Sequence, residues 1–435
     1  MDILIKTIQV LLALSILILV HELGHFCFAK MFRIRVEKFY LFFDWGFALF
    51  KWKPKKSETE YGIGWLPLGG YCKIAGMVDE SMDTDALKSE PKPWEFRSKP
   101  AWQRLLVMAG GVIFNFLLAI VIYIILLLGW GKSYIKNSDA AVYTSPLAYE
   151  MGFRNGDKII GFDDYTPEDF SALSADLLHE QAETATVLRG GDTVKIDLGD
   201  DYIPKILQQK QPIFGIAVPF VVDEVIEGSL NEGVFLPGDS LVAVNGQEMT
   251  YFQDIRQYLS GYKDTTVTIS VVRDGAPIDL KARTDTSGLI KVTTRMPDVI
   301  TTKEYNVLTA IPAGIKLTFS TIGSYLKELK LIFNPETEAY KEVGTFISIG
   351  SIFPEKWDWM RFWNISALLS IMLGVMNLLP IPALDGGHIL FTLYEMVTRR
   401  KPSDKFLIAA QAIGMILLLM LMVLAFWNDL RNFIF

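Results

Sequence analysis

Sulfur crosslinks are nearly excluded from this chain. Its 435 residues contain two cysteines, Cys27 and Cys72. Both lie in the first quarter, so no disulfide framework supports the rest, and the long central segment is held by packing alone. Histidine is almost as scarce, with four copies. Excess charge of either sign is missing too: the formal net charge is −7. So mild an acidic balance argues against nucleic acid as a partner. The start of the chain lacks the marks of a cleaved leader. Lys6 gives only a thin basic start, the apolar run behind it is too long for a signal core, and no small-x-small site follows. We expect that run to be a retained membrane span.

Apolar length is what the sequence has in plenty. Mean hydropathy is +0.28, high for a water-soluble protein of this size. Four segments are long and apolar enough to cross a bilayer: roughly 3–28, 104–129, 361–384 and 406–427. Basic residues set the orientation. Lys30, Arg33, Arg35, Lys38, Lys51, Lys53, Lys55 and Lys56 follow the first span, and Arg399, Arg400 and Lys401 follow the third. Both clusters are expected on the cytoplasmic side, which leaves the N-terminus and the central segment outside. Residues 307–326 are also long enough to span, but they contain Pro312 and Lys316. If they crossed, the third span would invert. They are therefore expected as an interfacial helix on the outer leaflet.

The central segment carries a weak internal repeat. "EMGFRNGDKIIGFDD" (150–164) and "NEGVFLPGDSLVAVNG" (231–246) both place Gly-Asp before an alternating apolar strand. Helix-like stretches follow near 168–181 and 252–260. Alternating runs return at 184–198 and 265–284, the second turning at Asp274-Gly275. Two small tandem domains are expected. Residues 36–76 differ again. "YGIGWLPLGGYCKIAG" mixes close-spaced glycines with aromatics, which marks bulged strands rather than a helix. A small sheet at the cytoplasmic face fits, provided protein buries its backbone.

The chemistry begins at "SILILVHELGHFCFAK" (15–30). His21 and His25 are four apart, about 40° around a helix and one turn along it. Two such imidazoles can share a zinc ion, and Glu22 beside the first can take a proton from water the metal activates. Gly24 leaves no side chain to crowd the metal. A catalytic zinc needs a third protein ligand, for which Asp385, His388 and His179 are candidates. In "NLLPIPALDGGH" (377–388), Pro380 and Pro382 break the third span and leave Asp385 in an irregular, buried place. His21 lies about 27 Å into the first span at 1.5 Å per residue. Asp385 lies near the same end of a span running the same way. Matching depth selects Asp385 as third ligand, with His388 as its neighbour or reserve. Asn115, in the middle of the second span, either ties helices together or hydrogen-bonds at the metal.

Three motifs together resemble the site-2 protease family of intramembrane metalloproteases. They are His21-Glu22-x-x-His25, Gly111-x-x-x-Asn115 and Asn377-x-x-Pro380-x-Pro382-x-Leu384-Asp385-Gly386. "TEYGIGWLPLGGYCKIAGM" (59–77) and the paired Gly-Asp domains are similar to the bacterial regulator of sigma-E protease group, which has two periplasmic PDZ domains. The resemblance implies zinc held by His21, His25 and Asp385, and Glu22 as catalytic acid/base. It also implies Asn115, Asn377, Pro380 and Pro382 as active-site or substrate-binding neighbours. It implies a multi-pass protein of the bacterial cytoplasmic membrane. Its substrates would be single-span membrane proteins, such as anti-sigma factors and remnant signal peptides, first shortened outside by an upstream site-1 type protease. The region at 36–76 would hold such a substrate as an added strand.

The expected architecture is a polytopic α-helical membrane protein with four transmembrane helices, a membrane-associated β region and two extracytoplasmic PDZ-like α+β domains. Residues 1–35 form the first transmembrane helix with its zinc motif, 36–103 the β region and loop, and 104–130 the second helix. PDZ-like domains occupy 138–208 and 209–288, and interfacial amphipathic helices 300–356. The third helix with the Asp motif takes 360–398, and the fourth 404–430. Two rival classes stand beside the protease: an inactive PDZ-bearing scaffold with a structural metal, and a transporter. A structural zinc is closed by four protein ligands, and three are found here. A transporter would show inverted repeats among its spans, and none is seen.

Overall fold

The computed structural model describes residues 2–67, 69–77, 90–199, 201–209 and 211–433. Leu68 and residues 78–89 of the expected β region and loop lie outside the described residues. The chain divides into two compact units, Met1–Lys132 with Lys303–Phe435, and Ser133–Thr302. The first opens with α1 (Asp2–Met31), β1 (Val36–Leu41), β2 (Phe43–Trp52), β3 (Glu60–Leu66), β4 (Tyr71–Ile74) and α2 (Ala101–Trp130). Next come β5 (Lys132–Ile135), β6 (Val142–Thr144), α3 (Pro146–Glu150), β7 (Lys158–Phe162), α4 (Leu173–Glu180), β8 (Thr184–Arg189), β9 (Asp192–Asp197), α5 (Tyr202–Gln209) and β10 (Phe214–Ile216). They are followed by β11 (Val222–Val225), β12 (Ser240–Val244), β13 (Gln247–Glu248), α6 (Phe252–Leu259), β14 (Thr266–Arg273), β15 (Ala276–Arg283), β16 (Val292–Thr294) and β17 (Ile300–Lys303). The chain closes with α7 (Val307–Phe333), α8 (Phe346–Ile352), α9 (Trp359–Leu378), α10 (Asp385–Thr398) and α11 (Asp404–Phe433).

In the first unit, α1, α2, α7, α9 and α11 are each long and apolar enough to cross a membrane. Helices that are apolar all round belong in lipid or in a large core. On α11, Ile413, Met420 and Val423 are exposed. The centre of the bundle is α2. Its Ala119, Ile122 and Tyr123 pack with Tyr325 and Leu329 of α7 and with Ala367 and Ile371 of α9. Ser370 of α9 donates its hydroxyl to the Asn115 carbonyl at 2.8 Å. A Cβ on Gly314 of α7 would fall 2.6 Å from the Ile124 side chain. The segment read from sequence as a helix resting on the outer leaflet packs against the 119–126 stretch of α2 and against α9.

α1 and α9 run in the same sense. Val10, Ala13 and Leu17 cluster with Phe362 and Leu369, and further along His21 meets Asn377. α9 ends at Leu378, because Leu379 precedes Pro380 and takes an extended conformation (φ −60°, ψ 143°). A tight turn through both prolines then starts α10 at Asp385. The region 360–398, expected as the third helix with its Asp motif, is thus two helices.

The four strands β1–β4 form one sheet in the order β2-β3-β1-β4, with β2 and β4 as its edges. β1 pairs parallel with β3 and antiparallel with β4. Trp45, Phe47, Leu49, Phe50 and Trp52 of β2 are exposed.

The second unit sets two Asp residues in like surroundings. Asp157 is fully buried and takes both prongs of the Arg189 guanidinium, each at 2.8 Å. Asp239, 1% exposed, takes both prongs of Arg273, each at 2.6 Å. Each also accepts the backbone N–H three residues before it, from Arg154 and Leu236. Asp163 and Asn245 both adopt left-handed backbone, at φ 47° and 50°. Each bonds the backbone of the facing strand, at Thr184 and Thr268. β10 pairs with β6, which joins residues 214–216 to the strands of the first half. β16 pairs with β11 in the second.

Candidate metal centre

His21 and His25 sit on one face of α1, both nearly buried (9% and 6% exposed). Asp385 is the first residue of α10, where the helix dipole favours a carboxylate. The Nε2 atoms of the two imidazoles are 3.3 Å apart. Asp385 Oδ2 is 3.3 Å from each of them. Among the described residues, these three form the only group of three or more His, Cys, Asp or Glu side chains placed to share a metal ion.

The triangle can be tested against zinc. Ligand atoms on a tetrahedral ion are separated by about 1.63 times the bond length. For bonds of about 2.0–2.1 Å that gives roughly 3.3–3.4 Å. The three edges match. Asp385 Oδ2 is also buried without a hydrogen-bond partner, a costly state for a carboxylate oxygen unless a cation faces it. The donor set of two imidazoles and one carboxylate suits zinc and leaves a fourth position open.

The groups that orient the two imidazoles come from α2. The His25 Nδ1 lies 2.8 Å from the Val107 carbonyl oxygen. Nδ1 must be the donor, which leaves Nε2 with a free lone pair. The His21 Nδ1 lies 3.2 Å from the Asn115 amide, and Asn115 Oδ1 is buried without a partner. With the amide turned so that Oδ1 accepts from His21 Nδ1–H, both needs are met and the second Nε2 is freed as well. Gly111 faces the rings: a Cβ there would lie 2.5 Å from His21 Cε1 and from His25 Nε2. Gly24 has a different job from the one its sequence position implies. A Cβ on it would strike the Gly110 carbonyl oxygen at 2.2 Å, so it admits the crossing of α1 on α2 rather than making room for metal.

Glu22 is half-buried beside this centre. The Cys72 backbone N–H of β4 faces its carboxylate. A Cβ on Gly70 would be 3.5 Å from Glu22 Cγ. The outer strand β4 is therefore the edge nearest the candidate acid/base. It is braced from the sheet, because the Tyr71 hydroxyl donates to Asp44 at 2.8 Å and Lys38 bonds the same carboxylate at 3.1 Å.

Of the residues expected from sequence, His21, His25, Asp385 and Asn115 converge, and Asn377 Nδ2 stands 3.5 Å from His21 Nε2. Pro380 and Pro382 shape the turn before α10, where Gly387 abuts the Pro382 Cα. His388 bonds the Gln411 side chain of α11. His179 belongs to the second unit. The Val107 carbonyl and the Cys72 N–H were missed, since a backbone group leaves no mark in a sequence.

Comparison with known proteins points to the same class of chemistry. The sequence profile of Peptidase family M50 matches residues 9–421. A putative zinc metalloprotease of Xylella fastidiosa is 29% identical over 450 residues, covering 97% of each chain. Protease RseP of Yersinia pestis is 28% identical over 455 residues, covering 99% of each. Metalloprotease MmpA of Caulobacter vibrioides is 27% identical over 449 residues, covering 99% of this chain and 96% of the relative. A match of this extent places the chain in Peptidase family M50, the site-2 proteases, as a zinc metalloprotease.

Proposed function

We propose that this protein cleaves the membrane-embedded segment of single-span proteins, with His21, His25 and Asp385 holding the zinc and Glu22 as acid/base. The observation that carries the reading is the 3.3 Å triangle of two Nε2 atoms and one carboxylate oxygen. Zinc supplies Lewis acidity to the scissile carbonyl and to water near neutral pH. Glu22 takes the proton of the attacking water and passes it to the leaving nitrogen. The Asn377 amide, on the side of His21 away from Asn115, is placed to donate to the carbonyl oxygen. A helical substrate keeps its carbonyls in its own hydrogen bonds, so it must be drawn out. The outer edge of β4 beside Glu22, which pairs with no strand among the described residues, can hold it extended by strand addition.

Substrates of the anti-sigma-factor or remnant-signal-peptide class, shortened first by another protease, suit a site that admits one strand. Four spans suit the chain better than five. α1 and α9 run the same way, so α7 returns to the side it left. The second unit reads as two PDZ-like copies facing outward from a bacterial cytoplasmic membrane, supported by the twin Asp–Arg pairs. The test is Glu22→Gln in lipid vesicles. Zinc content is expected to stay at one per chain, while cleavage of a single-span substrate falls by about 10²–10⁴-fold. Undiminished cleavage by that variant excludes the assignment.

A further inference from the structure

α2 contributes no metal ligand, yet it touches two of the three. Val107 fixes His25 and Asn115 fixes His21. The third ligand is on α10, which packs on α2 and buries few large side chains of its own. Its buried residues are Gly386, Gly387 and Thr392. The Thr392 hydroxyl turns back to the His388 carbonyl within the same helix. Ile389 adds one partly buried apolar contact, while Leu390, Leu393, Tyr394, Met396 and Val397 are exposed. Phe391 packs edge-on against Phe406 of α11, and His388 bonds Gln411 of the same helix, so these two hold α10 to α11 rather than to α2. Packed helices slide by about 1–2 Å between states, whereas ligand distances must hold to within about 0.2 Å.

One charged contact ties α10 to α2, the helix that orients the imidazoles. Glu395 of α10 accepts a hydrogen bond from Arg104 Nη2 of α2 at 2.5 Å. The pair is well buried, with side chains 9% and 20% exposed. Arg104 is itself anchored: its Nε donates to the Lys99 carbonyl at 3.1 Å, and its guanidinium lies 6.0 Å from the Phe96 ring centre. Glu395 is ten residues beyond Asp385, about 15 Å along the helix. It cannot touch the reacting atoms and acts only by fixing the helix as a rod. A charge pair in this setting does not part readily, because either partner alone would be left unpaired and desolvated.

We infer that Arg104, through Glu395, is a positioning residue that sets Asp385 against the two imidazoles, so that α2 aligns all three ligands. The inference rests on Asp385 being a ligand, and the experiment separates the two. Full-length protein in vesicles is compared as wild type, Glu395→Gln, Arg104→Lys and Asp385→Asn, with Asn428→Ala as control. Asn428 makes a remote polar tie in the same unit, to the Tyr340 and Val343 carbonyls. The readouts are zinc retention against a chelator, the absorption spectrum of the cobalt-substituted protein, thermal stability, and kcat and KM. Glu395→Gln is expected to weaken metal retention about 10–100-fold, the loss typical when a group that orients a ligand is removed. It is also expected to shift the cobalt bands and to lower kcat with KM within about twofold. Arg104→Lys keeps the charge without the fork and is expected to fall between; if Glu395→Gln does not accumulate, Arg104→Lys carries the test alone. Asn428→Ala is expected to lose stability alone. If the Arg104 and Glu395 variants lose stability but keep the cobalt spectrum and kcat, the pair is structural and the inference falls. If Asp385→Asn keeps its metal, the ligand assignment fails and takes the inference with it.

Discussion

Asp385 shows how far single residues could be read in advance. Its type and its place behind two prolines marked it as a ligand candidate, but only a depth argument chose it over His388. His21, Glu22 and His25 were plainer, because their spacing encodes a shared helix face. Gly111 was legible only as part of a motif, and its role is steric. Gly111→Ala tests that role. A new Cβ 2.5 Å from His21 Cε1 and His25 Nε2 must push a ring aside. In an unhindered helix the same change would add about 1 kcal/mol of stability. Here the expected result is a drop in zinc affinity of at least about tenfold, read by chelator titration. Unchanged affinity would mean that the rings have slack the structure does not show.

Elements were legible wherever the pattern was local. The break after α9 followed from Pro380 and Pro382, and the β14–β15 hairpin from Asp274-Gly275, both of which adopt positive φ. What the sequence could not supply was partnership across distance. The β1–β3 pairing is parallel and skips a strand, and the β6–β10 pairing joins residues about seventy apart. Neither leaves a local signal. The second half of the second unit is tied by Asp239 and Arg273, which link the start of β12 to the end of β14. The Arg273 guanidinium holds the Asp239 carboxyl below the usual carboxylate range. In the unfolded chain that group titrates near pH 4. Its contribution to stability is therefore complete above about pH 4 and is lost as the pH falls through the lowered value. Hydrogen exchange of the β12 and β14 amides is expected to be faster in Asp239→Asn than in wild type at pH 7. The gap is expected to narrow below about pH 4. A gap that stays constant with pH would show that the carboxylate's charge is not what stabilises this half.

At the scale of the whole molecule the open choice is four crossings or five, and it turns on α7. By length and composition alone α7 qualifies as a span. Its neighbours argue otherwise. Crossing would reverse α9 relative to α1, but Val10, Ala13 and Leu17 share a cluster with Phe362 and Leu369 while His21 meets Asn377 near the end of α9, an order that makes the two parallel. The Gln9 side chain of α1 also donates to the Pro354 carbonyl at 2.9 Å, just before α9 begins. The start of α1 and the start of α9 are thus at one level. Cysteine labelling in sealed vesicles decides the matter in a background carrying Cys27→Ser and Cys72→Ser. Lys55, Ser287, Lys356 and Lys401 are all exposed and replaceable. With four crossings, Ser287→Cys and Lys356→Cys react from the outer side, and Lys55→Cys and Lys401→Cys only from the inner side. With five, the probes at 356 and 401 exchange sides while those at 55 and 287 stay put. In that case His21 and Asp385 could not share a level in the bilayer, and the metal centre built from α1 and α10 could not form in the membrane.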